Sequence, residues 1–166
     1  MIPRLVPVFP NWYPFNDMVI DGHLKVGMFS VKTRSYDWKY RGLVLLYNSG
    51  GTMRYCRDIY KYPKDASARF MIIGAAILDV VRLLTRDELR LMRGNFNNLT
   101  PAKMRAHPEL VKVVPLKFGY FFTSAVRFSN PVPFEWKPGP VKPIFTSIVP
   151  GSMLETELLA SGIVKR

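Results

Sequence analysis

The run Gly42 to Tyr47, GLVLLY, constrains this chain most, because it carries no polar side chain across the length of a strand. A strand with one wet face alternates apolar and polar residues, so an unbroken apolar run belongs to a central strand buried on both faces. Ala68 to Val81 (ARFMIIGAAILDVV) reads the same way, as a long buried strand in which Gly74 permits close packing or a bend; a helix is the alternative there. Residues 29–36 alternate enough to form a strand and are expected to lie beside 42–47. Phe118 to Phe128 and Ile144 to Val149 are further β-rich stretches, separated by a proline-laden loop from Asn130 to Pro143.

Helix signals punctuate these strands. Residues 1–13 hold Pro3, Pro7 and Pro10, which favours an extended edge segment, and Pro14 to Gly22 has proline at a helix start and glycine just past its end. Thr52 can cap a short helix through Tyr60. Thr85 to Glu88 is a capping-box match and Thr100-Pro101 a second start, so residues 85–108 read as a helical insert of two short helices. Ser152 to Glu155 opens a tail helix ending at Gly162. No repeat or long linker divides the chain, so 1–166 is read as a single mixed α+β domain, a small partly closed β-barrel with flanking helices.

Charge narrows the function. The 166 residues hold 24 Lys and Arg against 12 Asp and Glu, a net +12. Such an excess selects polyanionic partners, nucleic acid first and RNA favoured. No apolar run approaches the roughly 18 residues of a spanning helix, so no membrane partner is expected. The single Cys56 excludes an internal disulfide and a multi-thiolate metal site, and with no apolar leader segment the expected location is the cytoplasm. His23 and His107 stand far apart without carboxylate clusters, so no metal site or cofactor is expected, and Cys56 reads as a small buried filler.

Candidate binding residues concentrate between Lys25 and Arg41. Lys25, Lys32, Arg34, Lys39 and Arg41 face one acid, Asp37, with Tyr36, Trp38 and Tyr40 interleaved. Cations of this kind contact phosphates while aromatic faces stack unpaired bases. Arg34, with a planar fork suited to a phosphate or base, is the leading candidate. Asn48 and Ser49, ending the buried strand, are expected to offer hydrogen-bonding groups to the same cleft. Arg54, Arg57 and Lys61 fall on one face of the expected helix, and Lys103, Arg105, Lys112 and Lys117 extend the basic surface. Solvated charge and aromatics turned into the core are the structural alternative.

Residues 27–49, GMFSVKTRSYDWKYRGLVLLYNS, resemble the ASCH family of the PUA-like superfamily. Gly27, Arg34, Ser35, Tyr40, Arg41, Gly42 and Ser49 fall at positions of its G-x-K-x-x-E-x-R signature, its Tyr-Arg-Gly turn and its strand-end serine. Asn11-Trp12 with the helix to Gly22, Ile73 to Val80, and Phe118 to Phe128 with Pro131 and Pro133 match the rest of the family pattern more loosely. In this register Phe29 replaces the Lys and Lys32 the Glu; alternatively Gly22 and Lys25 are the first two positions and five residues are inserted before Arg34. The acid is missing either way.

The resemblance implies RNA binding, with a modified base as one possible ligand. It also implies an alternative, because some members resemble amidohydrolases acting on acylated cytidine through a Lys, a Thr and a distant Glu, and others resemble ribonucleases. Lys25, Lys32 and Thr33, with an acid such as Asp79, are the catalytic candidates for that alternative. Thr33 lies one residue from the family position and so on the opposite strand face, which disfavours catalysis. A protein-interaction role, such as a viral accessory factor, is the third reading.

Overall fold

The computed structural model describes residues 2–23, 25–26, 29–34, 37–52, 69–85, 87–88, 118–136 and 144–165. They form β1 (Leu5–Tyr13), α1 (Phe15–Ile20), β2 (Lys25–Val26), β3 (Phe29–Arg34), β4 (Gly42–Thr52), β5 (Met71–Leu83), β6 (Phe118–Pro133), β7 (Ile144–Ser147) and α2 (Met153–Ala160). The strands make one sheet in the order β2-β3-β6-β5-β4-β1-β7. Among the described residues this sheet is open, since its two ends are β2 and β7.

β4 lies in the interior, as its apolar run requires. Leu43, Leu45 and Tyr47 enter one core with Val6, Val8, Ile72, Phe128, Leu154 and Leu158. Val44 and Leu46 enter the other, with Phe9, Met18, Val19, Ile73, Leu78, Tyr120 and Phe122. Strict alternation thus divides one apolar strand between two cores. The first core is covered by α2 and by Phe134 and Trp136, and the second by α1 and by Trp38 and Tyr40.

The long run is a strand, and Gly74 explains its irregularity. Ile72 faces the first core and Ile73 the second, yet Ala75 faces the first again and Ala76 the second. One residue has been absorbed at Gly74, where the β5–β6 register also shifts. A Cβ there would lie 2.2 Å from the Val126 carbonyl oxygen and 3.0 Å from Ile20 Cδ1, so only glycine fits.

The sheet curls around the second core. Three strand spacings, about 14 Å, separate β1 from β6 along a flat sheet. The Phe9 ring nevertheless lies 5.4 Å from that of Tyr120 and 5.9 Å from that of Phe122. Side chains standing perpendicular to a flat sheet cannot close that gap; a concave face can.

Four expectations need correction. β3 and β4 are not neighbours, because β6 and β5 stand between them. The connection from Arg34 to Gly42 crosses the sheet instead of turning a hairpin: Trp38 stacks on Tyr120 of β6 and Phe9 of β1, and covering the second core with these rings favours the crossing. β1 is not at the edge, since it runs parallel to β4 and antiparallel to β7. Its prolines are tolerated because the two pairings overlap only at Val8, leaving Pro7 and Pro10 one paired neighbour each. β6 continues through Asn130 to Pro133, where Val132 pairs with Ile72, so the proline-rich loop starts later than its composition suggests.

The terminal signals hold. Gly22 has φ 71° after α1, and Gly162 has φ 72° after α2. The Ser152 side chain accepts the Glu155 N–H at 3.2 Å, while Glu155 reaches back to the N–H of Gly151 at 2.7 Å. At the start of the expected insert Thr85 and Glu88 cap each other, with side chain to backbone N–H in both directions. Thr52, the expected cap, ends β4 paired with Tyr13, and the helix expected after it through Tyr60 lies outside the described residues, as does the remainder of the 85–108 insert.

The Gly74→Ala variant is expected to lose about 2–3 kcal/mol of stability, because the β6 carbonyl cannot retreat without breaking the ladder. Urea denaturation monitored by tryptophan fluorescence would check this; an unchanged midpoint would mean the bulge is not needed.

Candidate nucleic-acid interface

The register gathers cations from distant parts of the chain at one end of the sheet. Lys32 pairs with Tyr120, which pairs with Val81. Thr33 pairs with Gly119, which pairs with Arg82, and Arg34 pairs with Phe118, which pairs with Leu83. Of Lys25, Lys32, Thr33 and Arg34 the structure describes backbone positions only. Arg41 joins this end by donating to the Val81 carbonyl at 3.3 Å, and Lys39 projects beside it with its side chain 87% exposed.

Arg41 is held by three backbone carbonyls, adding those of Trp38 at 2.6 Å and Tyr40 at 2.7 Å. The guanidinium thereby fastens the crossing segment to the end of β5. Arg82 stands with its guanidinium carbon 4.4 Å from the Phe121 ring centre and makes a two-pronged contact with Glu88. That pairing holds the Glu88 carboxyl down at about 2, chiefly through the Arg82 hydrogen bonds. Two acids at this end are therefore engaged, Glu88 by Arg82 and Asp37 by Lys39.

Trp38 and Tyr40 of the motif serve packing. Trp38 is half-buried and stacks on Tyr40 at 5.0 Å, on Tyr120 at 6.3 Å and on Phe9 at 6.4 Å. Tyr40 donates its hydroxyl to the Leu43 carbonyl at 2.7 Å, and burial raises its pKa. Ser35, Tyr36, Arg54, Arg57 and Lys61 lie outside the described residues, as do Cys56, Lys103, Arg105, His107, Lys112 and Lys117. Asp79, the acid suggested for catalysis, is exposed on β5, and His23 is exposed after α1.

Asn48 and Ser49 do not lie at the Arg34 end of the sheet. Asn48 pairs with Met71 at the start of β5, whereas the row of Arg34 ends at Leu83. The 13 residues of β5 span about 40 Å, so the two positions stand at opposite ends of the sheet. Both residues belong to a polar cluster that sequence reading missed. Asn48 Nδ2 donates to Asp17 at 2.9 Å, and Arg127 of β6 donates to Asp17 at 2.7 Å and to Asp21 at 3.0 Å. Asn16 donates to the Tyr47 carbonyl at 2.9 Å and accepts from Asn11, whose own carbonyl accepts the Ser49 hydroxyl at 3.1 Å. Asn11, Asn16, Asp17 and Asn48 are all buried. Because a carboxylate only accepts, Asp17 fixes the orientation of the Asn48 amide, and Asn48 Oδ1 is buried without a partner among the described residues. The signal available in the sequence was polar residues on an otherwise apolar short helix, Asn16 and Asp17 beside Met18 and Val19.

Comparisons with known proteins give a structural likeness only. No protein-family model and no curated protein sequence matches the chain. The structure is similar to the crystal structure of an ASCH protein from Zymomonas mobilis, with 14% identity, 96% of each chain covered and a TM-score of 0.46. It is similar also to a serine-to-alanine variant of that protein, at 15% identity over 96% of this chain and 98% of that one, TM-score 0.46. These are structures of the family that residues 27–49 resemble.

Two outcomes are expected here. Replacing Asp17 by alanine strips Asn48 and Arg127 of their common acceptor and is expected to cost about 2 kcal/mol, discounted for the exposure of Arg127, in urea denaturation; no loss would show the cluster to be dispensable. Glu88 titrates lower folded than unfolded, so its contribution is present above its ordinary value of 4.5 and is lost as pH falls toward about 2. The stability gap between the native chain and Glu88→Gln is therefore expected at pH 7 and absent near pH 2, and a gap that persists in acid would contradict the pairing.

Proposed function

We propose that the chain is a single-domain nucleic-acid-binding module, acting in the cytoplasm, that takes RNA or another single-stranded nucleic acid at the basic end of its sheet. The supporting observation is the convergence of Lys32, Arg34, Lys39, Arg41 and Arg82 there, five cations against Asp37, Asp87 and Glu88, with Lys39 paired to Asp37 and Arg82 to Glu88. Across the chain 24 cations face 12 acids, so at least 24 − 12 = 12 cations have no acid to themselves. Phosphate groups are the natural complement, and displaced counterions supply the driving force.

In this reading the curled sheet is a partly closed barrel, and its basic rim holds the strand. Lys32, Arg34 and Lys39 meet phosphates, Ser35 and Tyr36 add polar and stacking contacts, and Trp38, Tyr40 and Arg41 shape the rim. Ser49, Arg54, Arg57 and Lys61 belong to a second contact region toward the other end, beneath which Asn48 is held in the polar cluster. One base, modified or not, is held at the basic rim.

Fluorescence anisotropy with a labelled oligouridylate tests the proposal. Affinity should fall steeply between about 50 and about 200 mM salt, with a log–log slope of about −0.7 per phosphate contact. Arg34→Ala with Lys32→Ala should weaken binding about tenfold or more and shallow the slope by about one contact each. Binding that ignores salt, or is unchanged in the double variant, would refute the assignment.

A further inference from the structure

Phe70 has a φ of 59°, in the left-handed region that bulky residues rarely occupy. Both its backbone groups are pinned: its N–H donates to the Asn48 carbonyl at 2.7 Å, and its carbonyl accepts the Phe134 N–H at 3.2 Å. The ring lies on the bare backbone of Gly50, where a Cβ would come within 2.3 Å of ring Cζ. Even so, Phe70 is 61% exposed. Folding gains little from this arrangement, because glycine or asparagine would adopt the turn without strain and an exposed ring contributes little burial. Strain maintained at an exposed aromatic is the pattern of a binding surface.

The charge beside it indicates the occupant. Arg69 is exposed and precedes Phe70 directly. The segment joining Thr52 to Arg69 carries Arg54, Arg57, Lys61 and Lys64 against Asp58 and Asp65. A ring backed by Gly50 and open on its outer side, with exposed Arg69 before it and a stretch of chain rich in cations preceding both, suits a planar π-system carried on an anionic backbone.

We infer that Phe70 is a stacking platform for one unpaired base of a single-stranded nucleic acid, with Arg69 meeting an adjacent phosphate. The inference rests on the nucleic-acid reading above and adds a contact at the end of the sheet opposite Arg34. Stacking is insensitive to base identity, so this contact supplies affinity without sequence preference.

The experiment compares the native chain with Phe70→Ala, Phe70→Gly and Phe70→Trp, using the same oligouridylate and thermal unfolding in parallel. Phe70→Ala and Phe70→Gly should weaken binding about fivefold to a hundredfold with an unchanged salt slope, since no charge is removed. Phe70→Trp should bind at least as well as the native chain. Phe70→Gly should unfold at the native temperature or above it, because the left-handed backbone is then unstrained. Undiminished affinity in Phe70→Ala and Phe70→Gly would overturn the platform while leaving the module intact. A Phe70→Gly chain that unfolds well below the native one would also overturn it, by making the ring a structural element. Absence of binding by the native chain would instead remove the broader reading on which the platform depends.

Discussion

Everything in this fold follows from burying β4 on both faces. A strand whose alternate side chains enter two separate cores must have strands on both edges and cover on both sides. β1 and β5 supply the edges; α2 with Phe134 and Trp136 covers one face, and α1 with Trp38 and Tyr40 covers the other. The parallel pairing of β1 with β4 then forces a long crossover between them, since parallel neighbours cannot be joined by a tight turn. α1, β2, β3 and the crossing segment are that crossover. The basic motif between Lys25 and Arg41 is thus part of the connection that roofs the second core, and its charges arrive at the end of the sheet where that connection leaves β3.

The two ends of the sheet are held together by different physics. At the Asn48 end, most of the cluster is buried and its groups pair with one another: Asp17 accepts from Asn48 and Arg127, and Asn16 ties α1 to β1 and β4. Such a network is geometrically demanding, because every member that loses a partner leaves another buried and uncompensated. At the Arg34 end the polar groups are mostly in water, and cations predominate. Arg41 satisfies carbonyls, and Arg82 both packs on Phe121 and holds Glu88. Charge left over at the wet end is screened but available to a ligand, whereas the charges of Asp17 and Arg127 are engaged within the fold.

How much of this was legible from residues alone depends on whether local or long-range effects decide. GLVLLY announced a doubly buried strand, Gly74 announced close approach, and the Ser152 and Thr85 boxes announced helix starts, because each signal is settled within a few residues. Strand neighbours are not settled locally. A seven-residue connection after Arg34 suits a hairpin loop or a crossing equally, and it crosses because Trp38 finds Tyr120 and Phe9 in the concave face. Pro7 and Pro10 suggested an edge strand, yet each needs only one side of the strand free, and β4 and β7 pair with different halves of β1. Asn48 and Ser49 looked close to Arg34 in sequence, but β4 carries them the length of six strand residues away from Gly42.

The same geometry separates what the motif's residues do. Aromatic and basic side chains alternate from Tyr36 to Arg41, which on an isolated hairpin would place rings and cations together before a ligand. On a crossing segment above a concave core, the rings of Trp38 and Tyr40 are drawn inward, where burial and stacking stabilise them by more than a single exposed base could offer. Lys39 is left outward, and Arg41 is turned back to the carbonyls that would otherwise face water at the strand end. A rim whose described rings, Trp38 and Tyr40, are packed inward holds phosphates but grips bases weakly through those two rings, so a further aromatic contact elsewhere on the surface adds grip. Phe70 suits that role in the described part of the chain, being exposed, aromatic and fixed in place by hydrogen bonds to the ends of β4 and β6.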